Sequence, residues 1–276
     1  MSGHGLEVAA GNRFEFGANW RKFLGGLNEA RIEAGKASLR DLLEEETLED
    51  KTFLDAGSGS GLASLAARLL GARVHSFDYD PQSVACTLEL KHRYFPDDTR
   101  WTVESGSVLD TAYLDGLGSF DIVYSWGVLH HTGEMWRALG WVSGLVKPGG
   151  KLYISIYNDQ GRTSRHWRAL KRLYNRYAWL RPVLIGYTLV RQWALTIARD
   201  SLSGQPLRSW NSYRDTGRGM SPWYDAIDWI GGFPFEVAKP EEIFDFCRIR
   251  GFELARLKTL GGGSGCNEFV FVKRAE

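Results

Sequence analysis

Short apolar runs rich in Val, Ile and Phe alternate with helical patterns from Thr52 to Asn158, the order that builds a parallel sheet from β-α units. The first run, Thr52 to Asp55, leads through AGSGSG into a helical stretch from Leu62 to Leu70. The next, Arg73 to Asp78, precedes a helix over Pro81 to Tyr94, with Pro81 where a first helical turn tolerates it. WTVESGSV and FDIVYSW supply two further strands, and VKPGGKLYISIYN another, entered through a Pro-Gly-Gly turn. The alternation then stops until KPEEIFDFCRIRGFELARLKTL restores a helix and a strand. The final NEFVFVKR alternates as a strand, and GGGSGC joins it to the preceding one, which predicts an antiparallel hairpin. These patterns predict an aromatic helical cap over residues 1–45, a doubly wound α/β domain over 46–158 and 236–276, and an insertion over 159–235.

With 276 residues, 43% of them hydrophobic, the chain has ample core for such a sheet. A formal net charge of +1 gives no global reason for a polyanionic partner, so electrostatic specialisation is expected to be local. Cys86, Cys247 and Cys266 are odd in number and widely separated, and the N-terminus lacks the charged-then-apolar pattern of a signal peptide. A reduced, cytoplasmic protein is expected. The longest apolar candidate for a membrane, Trp179 to Ala198, is interrupted by Arg181, Pro182, Arg191 and Gln192 and fails the spanning requirement of roughly 20 apolar residues.

In FLDAGSGSGLASLAARLL a strand delivers Asp55, Gly57, Gly59 and Gly61 form a tight turn with Ser58 among them, and a helix opens directly afterwards. Backbone can approach a ligand closely there. Dinucleotide-binding domains use glycines in the same strand-turn-helix context. Two details separate this loop from theirs. Asp55, two positions before Gly57, can accept from an ammonium group, whereas a pyrophosphate gains nothing from a nearby carboxylate. Gly61 also falls one residue short of the dinucleotide spacing. Asp78 closes the second strand, where its carboxylate can accept both hydroxyls of a ribose, and Tyr79 offers a flat face to an adenine.

LDAGSGSG, FDYD, SGSV and FDIVYSWGVLHH together resemble the successive motifs of class I S-adenosylmethionine-dependent methyltransferases, most closely the ubiquinone-biosynthesis O-methyltransferase-like group of bacterial small-molecule enzymes. The resemblance spans most of residues 50 to 157. It implies a Rossmann-like sheet whose last strand is reversed, and S-adenosyl-L-methionine as the cofactor. By the same resemblance Asp55 and the glycine loop hold the methionine end, Asp78 the ribose and Ser107-Val108 the adenine, while an N-terminal segment folds over the cofactor. NRFEFGANWRKFL is that segment, with Asn19 and Trp20 as its candidates. Ser58 stands where many relatives carry cysteine, a departure without consequence for a loop that works through its backbone.

FDIVYSW places Trp126, His130 and His131 at the carboxyl edge of the sheet, where doubly wound folds put their ligands. Sequential residues at a helix start diverge by about 100°, so the two histidines are expected to have separate tasks. The resemblance implies that His130 lies beside the cofactor and that His131 turns toward the acceptor. An ordinary histidine titrates near 6.5 and can take the proton an attacking hydroxyl loses. The alternative is that either ring only packs. Tyr157, at the end of the fifth strand, joins His131 as a catalytic candidate. Glu134 lies near enough in sequence to raise a metal site, but no third ligand is evident, so no metal is expected.

From Gly161 to Arg199 the chain carries nine Lys or Arg and no Asp or Glu. Trp167, Leu170, Tyr174 and Tyr177 recur as a helical apolar stripe, while Arg165, Arg168, Arg172 and Arg176 follow a similar period on another face. The resemblance makes this insertion a lid over the acceptor. Its charge points to an anionic substrate or a membrane surface, with Arg168 and Arg172 as substrate contacts; a merely solvated basic face is the alternative. RNA is disfavoured because no RNA-binding module accompanies the basic and aromatic residues. Downstream, Tyr224 and Asp225 are candidates to position an acceptor, and Asp228 to orient His131 or position the acceptor itself. Asn267, in the loop joining the last two strands, is expected near the acceptor as well.

The expected activity is methyl transfer to a hydroxyl of a small molecule, natural product or glycan precursor. Carboxylate and amine methylation stay open, since a carboxylate needs no base and suits a basic lid. A nicotinamide-dependent oxidoreductase and a non-catalytic cofactor- or RNA-binding module are the rivals from other classes.

Overall fold

A computed structural model of the chain describes residues 3–213 and 222–275. Seven strands form one sheet: β1 Thr52–Ala56, β2 Arg73–Asp78, β3 Trp101–Ser105, β4 Phe120–Trp126, β5 Val146–Tyr157, β6 Phe252–Lys258 and β7 Cys266–Lys273. Their order is β3-β2-β1-β4-β5-β7-β6. β1 to β5 run parallel, and β7 runs antiparallel to both β5 and β6. The sheet is therefore doubly wound with a reversed last strand, as the hairpin pattern predicted. The strand order reverses between β1 and β4, and such a switch point leaves a crevice at the carboxyl ends of those two strands.

Twelve α-helices are numbered along the described residues: α1 Gly3–Ala9, α2 Gly17–Leu24, α3 Glu29–Leu43, α4 Leu62–Leu69, α5 Pro81–Tyr94, α6 Thr111–Asp115, α7 Met135–Gly144, α8 Arg162–Arg176, α9 Arg181–Leu202, α10 Arg208–Asn211, α11 Pro222–Gly231 and α12 Pro240–Arg248. Local chemistry sets several starts. The Asp80 carboxylate accepts from the Gln82 N–H at 2.9 Å with Pro81 at the first turn, and Asp110 accepts from the Tyr113 N–H at 3.1 Å. One face of the sheet buries Leu54, Ala56, Val123 and Leu152 beneath α7 and α12. The other buries Phe53, Val74, Ile122 and Tyr153 against α3, α4 and α5.

The insertion begins as expected with a helix whose arginines Arg165, Arg168, Arg172 and Arg176 are exposed while Trp167 and Tyr174 are buried. Two features there differ from the simple stripe. Tyr177 leaves the stripe, because α8 ends at Arg176 and Tyr177 turns into an extended conformation. Lys171, one of the nine basic residues but off the arginine face, is completely buried. A third cluster, built on Trp167, Tyr174, Leu184, Ile230 and Phe235, joins α8, α9 and α11. The long apolar stretch resolves into a short 3-10 turn and α9, and among the described residues no helix is long and apolar enough to cross a membrane.

Candidate active site

A cavity of about 1680 Å³ opens at the carboxyl ends of β1 and β4, larger than the several hundred Å³ that a single small ligand requires. At its β1 end lie Asp55, Gly57, Ser58 and Gly59. The loop is fixed by its own backbone: the Gly57 and Ser58 N–H groups donate to the Phe77 carbonyl at 2.9 and 3.0 Å, and the Gly59 N–H donates to Asp78 Oδ2 at 2.8 Å. Gly57 has φ +92°, and a Cβ there would stand 2.5 Å from the Val128 side chain, so the turn demands glycine both conformationally and sterically. Ser58 shares a hydrogen bond with the Thr87 hydroxyl at 2.9 Å. Gly61 does not line the cavity; it is where α4 approaches α5, so closely that a Cβ on Gly61 would stand 2.8 Å from Thr87 Cα.

Asp55 is the end point of a buried polar chain. Trp101 Nε1–H can only donate, and it does so to Ser76 Oγ at 2.9 Å. Ser76 and Ser64 lie 2.7 Å apart, and the Ser64 hydroxyl donates to Asp55. That order aims every proton at the carboxylate. Burial still dominates and raises Asp55 to about 7. Asp78 is raised by burial to about 6, although the Asp80 N–H donates to its Oδ1 at 2.9 Å. Two carboxylates facing a cavity with raised pKa values would gain from a ligand that brings an ammonium group to one and a diol to the other. Those are the polar groups of S-adenosylmethionine, so the residues present fit it.

Tyr79, Ser107, Val108 and Trp126 also line the cavity. Ser107 Oγ accepts from the Leu109 N–H at 3.1 Å. Tyr79 is held on its outer side: its hydroxyl donates to Glu7 at 3.3 Å, and the Arg13 guanidinium lies 5.1 Å from its ring. The N-terminal segment does fold onto the glycine loop. Trp20 lines the cavity so closely that a Cβ on Gly59 would stand 3.1 Å from its Nε1.

His130 and His131 form a 3-10 turn with Leu129, both buried and both lining the cavity. His131 Nδ1 donates to the Pro234 carbonyl at 2.7 Å, which leaves Nε2 as the lone-pair nitrogen. Burial is the largest influence and pushes His131 down to about 3; Lys171 and Arg13 push the same way. His130 is lowered by burial as well, then by His131 and Lys171, while a hydrogen bond to the Ser155 backbone opposes this. Both rings are therefore neutral at pH 7. Burial makes His131 a weaker base than an ordinary histidine. Tyr157 packs tilted against His130 with ring centres 4.1 Å apart and meets Trp229 at 5.6 Å. Together with His131 these rings wall the end of the cavity away from Asp78.

Several sequence candidates are engaged by other partners or lie outside the cavity. Asp228 lines the cavity, but it accepts from the Asn19 amide, and the partner orienting His131 is the Pro234 carbonyl. Asp225 also lines the cavity and accepts from the Tyr213 hydroxyl at 2.6 Å. Arg168 and Arg172 are on the outer surface of α8 and not in the cavity; Arg168 donates to the Phe235 carbonyl at 2.9 Å, and Arg172 lies over the Phe233 ring. Tyr224 is outside too, with the Lys22 ammonium 4.7 Å from its ring. Asn267 fastens loops, donating to Asn158 at 3.1 Å and accepting from the Leu260 N–H at 3.2 Å. Glu134 is taken by Arg137, and among the described residues no three His, Cys, Asp or Glu side chains are grouped to hold a metal.

Two residues at the site escaped the sequence reading, Arg13 in the cavity lining and Lys171 behind it. Arg13 donates to the His131 carbonyl at 3.0 Å. Lys171 occupies the apolar stripe, one turn from both Trp167 and Tyr174, and its periodicity was the available signal.

Residues 54–152 match the family model described as a methyltransferase domain. A ubiquinone biosynthesis O-methyltransferase of Xanthomonas axonopodis pv. citri is 30% identical over 151 residues, 55% of this chain and 59% of the relative. A ribosomal protein L11 methyltransferase of Psychrobacter sp. is 37% identical over 78 residues, 25% of each chain. This chain thus spans little more than half the length of the first relative and a quarter of the second. Among solved structures, an O-methyltransferase family protein from Burkholderia thailandensis superimposes with a TM-score of 0.53 at 15% identity, over 90% of this chain and 58% of that one. Magnesium protoporphyrin IX methyltransferase from Synechocystis PCC 6803 gives 0.51 at 13% identity, over 88% and 79%. These structures share the fold. Residues 54–152 thus resemble a methyltransferase domain, and the sheet as a whole has the fold of class I S-adenosylmethionine-dependent methyltransferases.

Proposed function

We propose that the chain transfers a methyl group from S-adenosylmethionine to an oxygen of a small-molecule acceptor. One observation carries this reading: a single cavity runs from the glycine loop, Asp55 and Asp78 to the wall made by His131, Tyr157 and Trp229, with room for two ligands. Asp55 receives the ammonium of the methionine end, Asp78 the ribose hydroxyls, and the Ser107-Val108 segment the adenine. Trp20 covers this half from the N-terminal side. S-adenosylmethionine, when bound, supplies an electrophilic methyl group. The chain supplies alignment and the exclusion of water, which contribute most to such a displacement.

His131, Tyr157, Asp225 and Asp228 face the acceptor half, and the helices of residues 159–235 serve as its lid. The name of the Xanthomonas relative, an O-methyltransferase, supports oxygen as the nucleophile. A small molecule or glycan precursor fits the enclosed aromatic wall better than a nucleic acid does. Calorimetric titration with S-adenosylhomocysteine alongside NADH tests the cofactor half. Binding of the first alone upholds the reading and leads to an acceptor screen by labelled-methyl incorporation; binding of NADH alone returns the loop to a dinucleotide site.

A further inference from the structure

Helix α8 turns its arginines outward, yet Lys171 on the same helix has no exposed surface. Its Nζ donates to the Trp229 carbonyl. Three rings close around the ammonium: Trp229 at 4.5 Å, Phe235 at 4.7 Å and Tyr157 at 5.9 Å. Tyr157 and Trp229 are also the cavity wall, so the charge sits directly behind the acceptor half. A methionine would fill this stripe position without the several kcal/mol that burying a cation typically costs.

The groups that face Lys171 come from every neighbouring element. Burial lowers Lys171 to about 7 while Asp228 of α11 and Cys266 of β7 favour its charged form, so that it is an ammonium from pH 7 downward. His130 and His131, across Tyr157, are both made harder to protonate by it, and Arg13 acts on His131 in the same sense. Among the described residues Asp228 is the carboxylate that acts on Lys171, and its Oδ1 accepts from Asn19; Asp225 and Glu268 also line the cavity, where they accept from the Tyr213 and Tyr153 hydroxyls.

We propose that Lys171 is a specificity-determining, positioning residue: its ammonium makes the acceptor half electropositive, so that the site takes an acceptor whose reacting oxygen is already ionised, a carboxylate or an acidic phenol. This rests on the methyl-transfer reading. The acceptor oxygen's lone pair forms the new carbon–oxygen bond while the carbon–sulfur bond breaks and its electron pair stays on sulfur. An anion and a sulfonium become two neutral products, and no proton has to leave the acceptor. A histidine pair held neutral by its surroundings is consistent with a site that needs no base. Neutral alcohols and ammonium-bearing acceptors are disfavoured by the same field.

Cys266 lines the cavity and offers a reporter that needs no acceptor. The full chain is alkylated with iodoacetate, an anion, and with iodoacetamide, its neutral counterpart, and the rate at Cys266 is read by peptide mass spectrometry. Changes in thiol reactivity cancel in the ratio of the two rates. Lys171→Met is expected to lower the iodoacetate-to-iodoacetamide ratio by roughly fivefold, the effect of one charge several ångströms away. Lys171→Gln, which keeps a donor for the Trp229 carbonyl, should do the same if Lys171→Met fails to fold. A ratio unchanged in the folded variant overturns the proposal. Calorimetry with S-adenosylhomocysteine runs in parallel: failure of the wild-type chain to bind it sinks the methyl-transfer reading instead, whatever the alkylation ratio.

Discussion

The side-chain amide of Asn19 donates a hydrogen bond to the carboxylate of Asp228 at the cavity wall, joining α2 near the N-terminus to α11 in the insertion. Neither residue has a local reason to meet the other, being 209 positions apart. The bond ties α2 to α11 beside the cavity.

Loss of that bond should loosen both segments together. With Asp228→Ala, hydrogen exchange at α2 and at α11 is expected to accelerate in parallel by roughly tenfold or more, the equivalent of a charged hydrogen bond worth about 1.5–3 kcal/mol. Acceleration confined to one helix would show that the two are not coupled.

Asp78 is expected to be indispensable for the cofactor half. Its oxygens are already oriented by the Gly59 and Asp80 N–H groups, so Asp78→Ala removes both the acceptor and the anchor of the loop. Affinity for S-adenosylhomocysteine should fall by about 100-fold or more, as loss of a charged hydrogen-bonding pair typically gives. Near wild-type affinity by calorimetry would remove the ribose assignment.

Cofactor binding should release a proton through Asp55. Burial raises its carboxyl to about 7, whereas an ammonium beside it requires the ionised form. Affinity for S-adenosylhomocysteine is therefore expected to rise by up to about tenfold per unit between pH 6 and 7 and to level off above. Asp55→Asn should bind weakly and without that slope. Calorimetry in buffers of different ionisation enthalpy counts the proton directly.

His131 should matter to acid stability and leave no mark on the neutral rate profile. Burial holds it at about 3 in the folded chain, against about 6.5 when unfolded. Between those values the unfolded chain binds the extra proton, so His131 contributes stability above pH 6.5 that is lost as pH falls toward 3. Thermal melts of His131→Gln should fall less steeply from pH 6.5 to 4.5 than those of the wild type. A rate inflection near 6.5 that disappears in the variant would contradict the buried, neutral assignment. His131→Ala should depress turnover more than cofactor affinity, and unchanged turnover would leave the ring a packing role.

Charge reversal at Arg172 should leave acceptor KM within about twofold of the wild type, since surface charges outside a cavity are screened. Arg168→Glu should lower Tm by a few degrees through the lost bond to the Phe235 carbonyl, again with little effect on KM. A salt-sensitive rise in KM for either variant would return the outer face of α8 to the substrate path.

The sequence by itself determined the sheet and the glycine-loop end of the cavity. β1, the glycine loop and α4 are contiguous, and β2 delivers Asp78 a short distance on, so period, turn glycines and strand-end carboxylates carry the information locally. The reversed hairpin was legible for the same reason. The acceptor half was decided only by tertiary structure. Asp228 meets Asn19, His131 meets Pro234, and Lys171 is enclosed by Tyr157, Trp229 and Phe235 through contacts between distant segments. Helical period shows that Lys171 shares a face with Trp167 and Tyr174, but burial of that face, and with it the charge and protonation of the groups around it, depends on what packs against it. Desolvation is a property of the assembled fold, which is why the pattern that located both histidines could not reveal that they remain neutral.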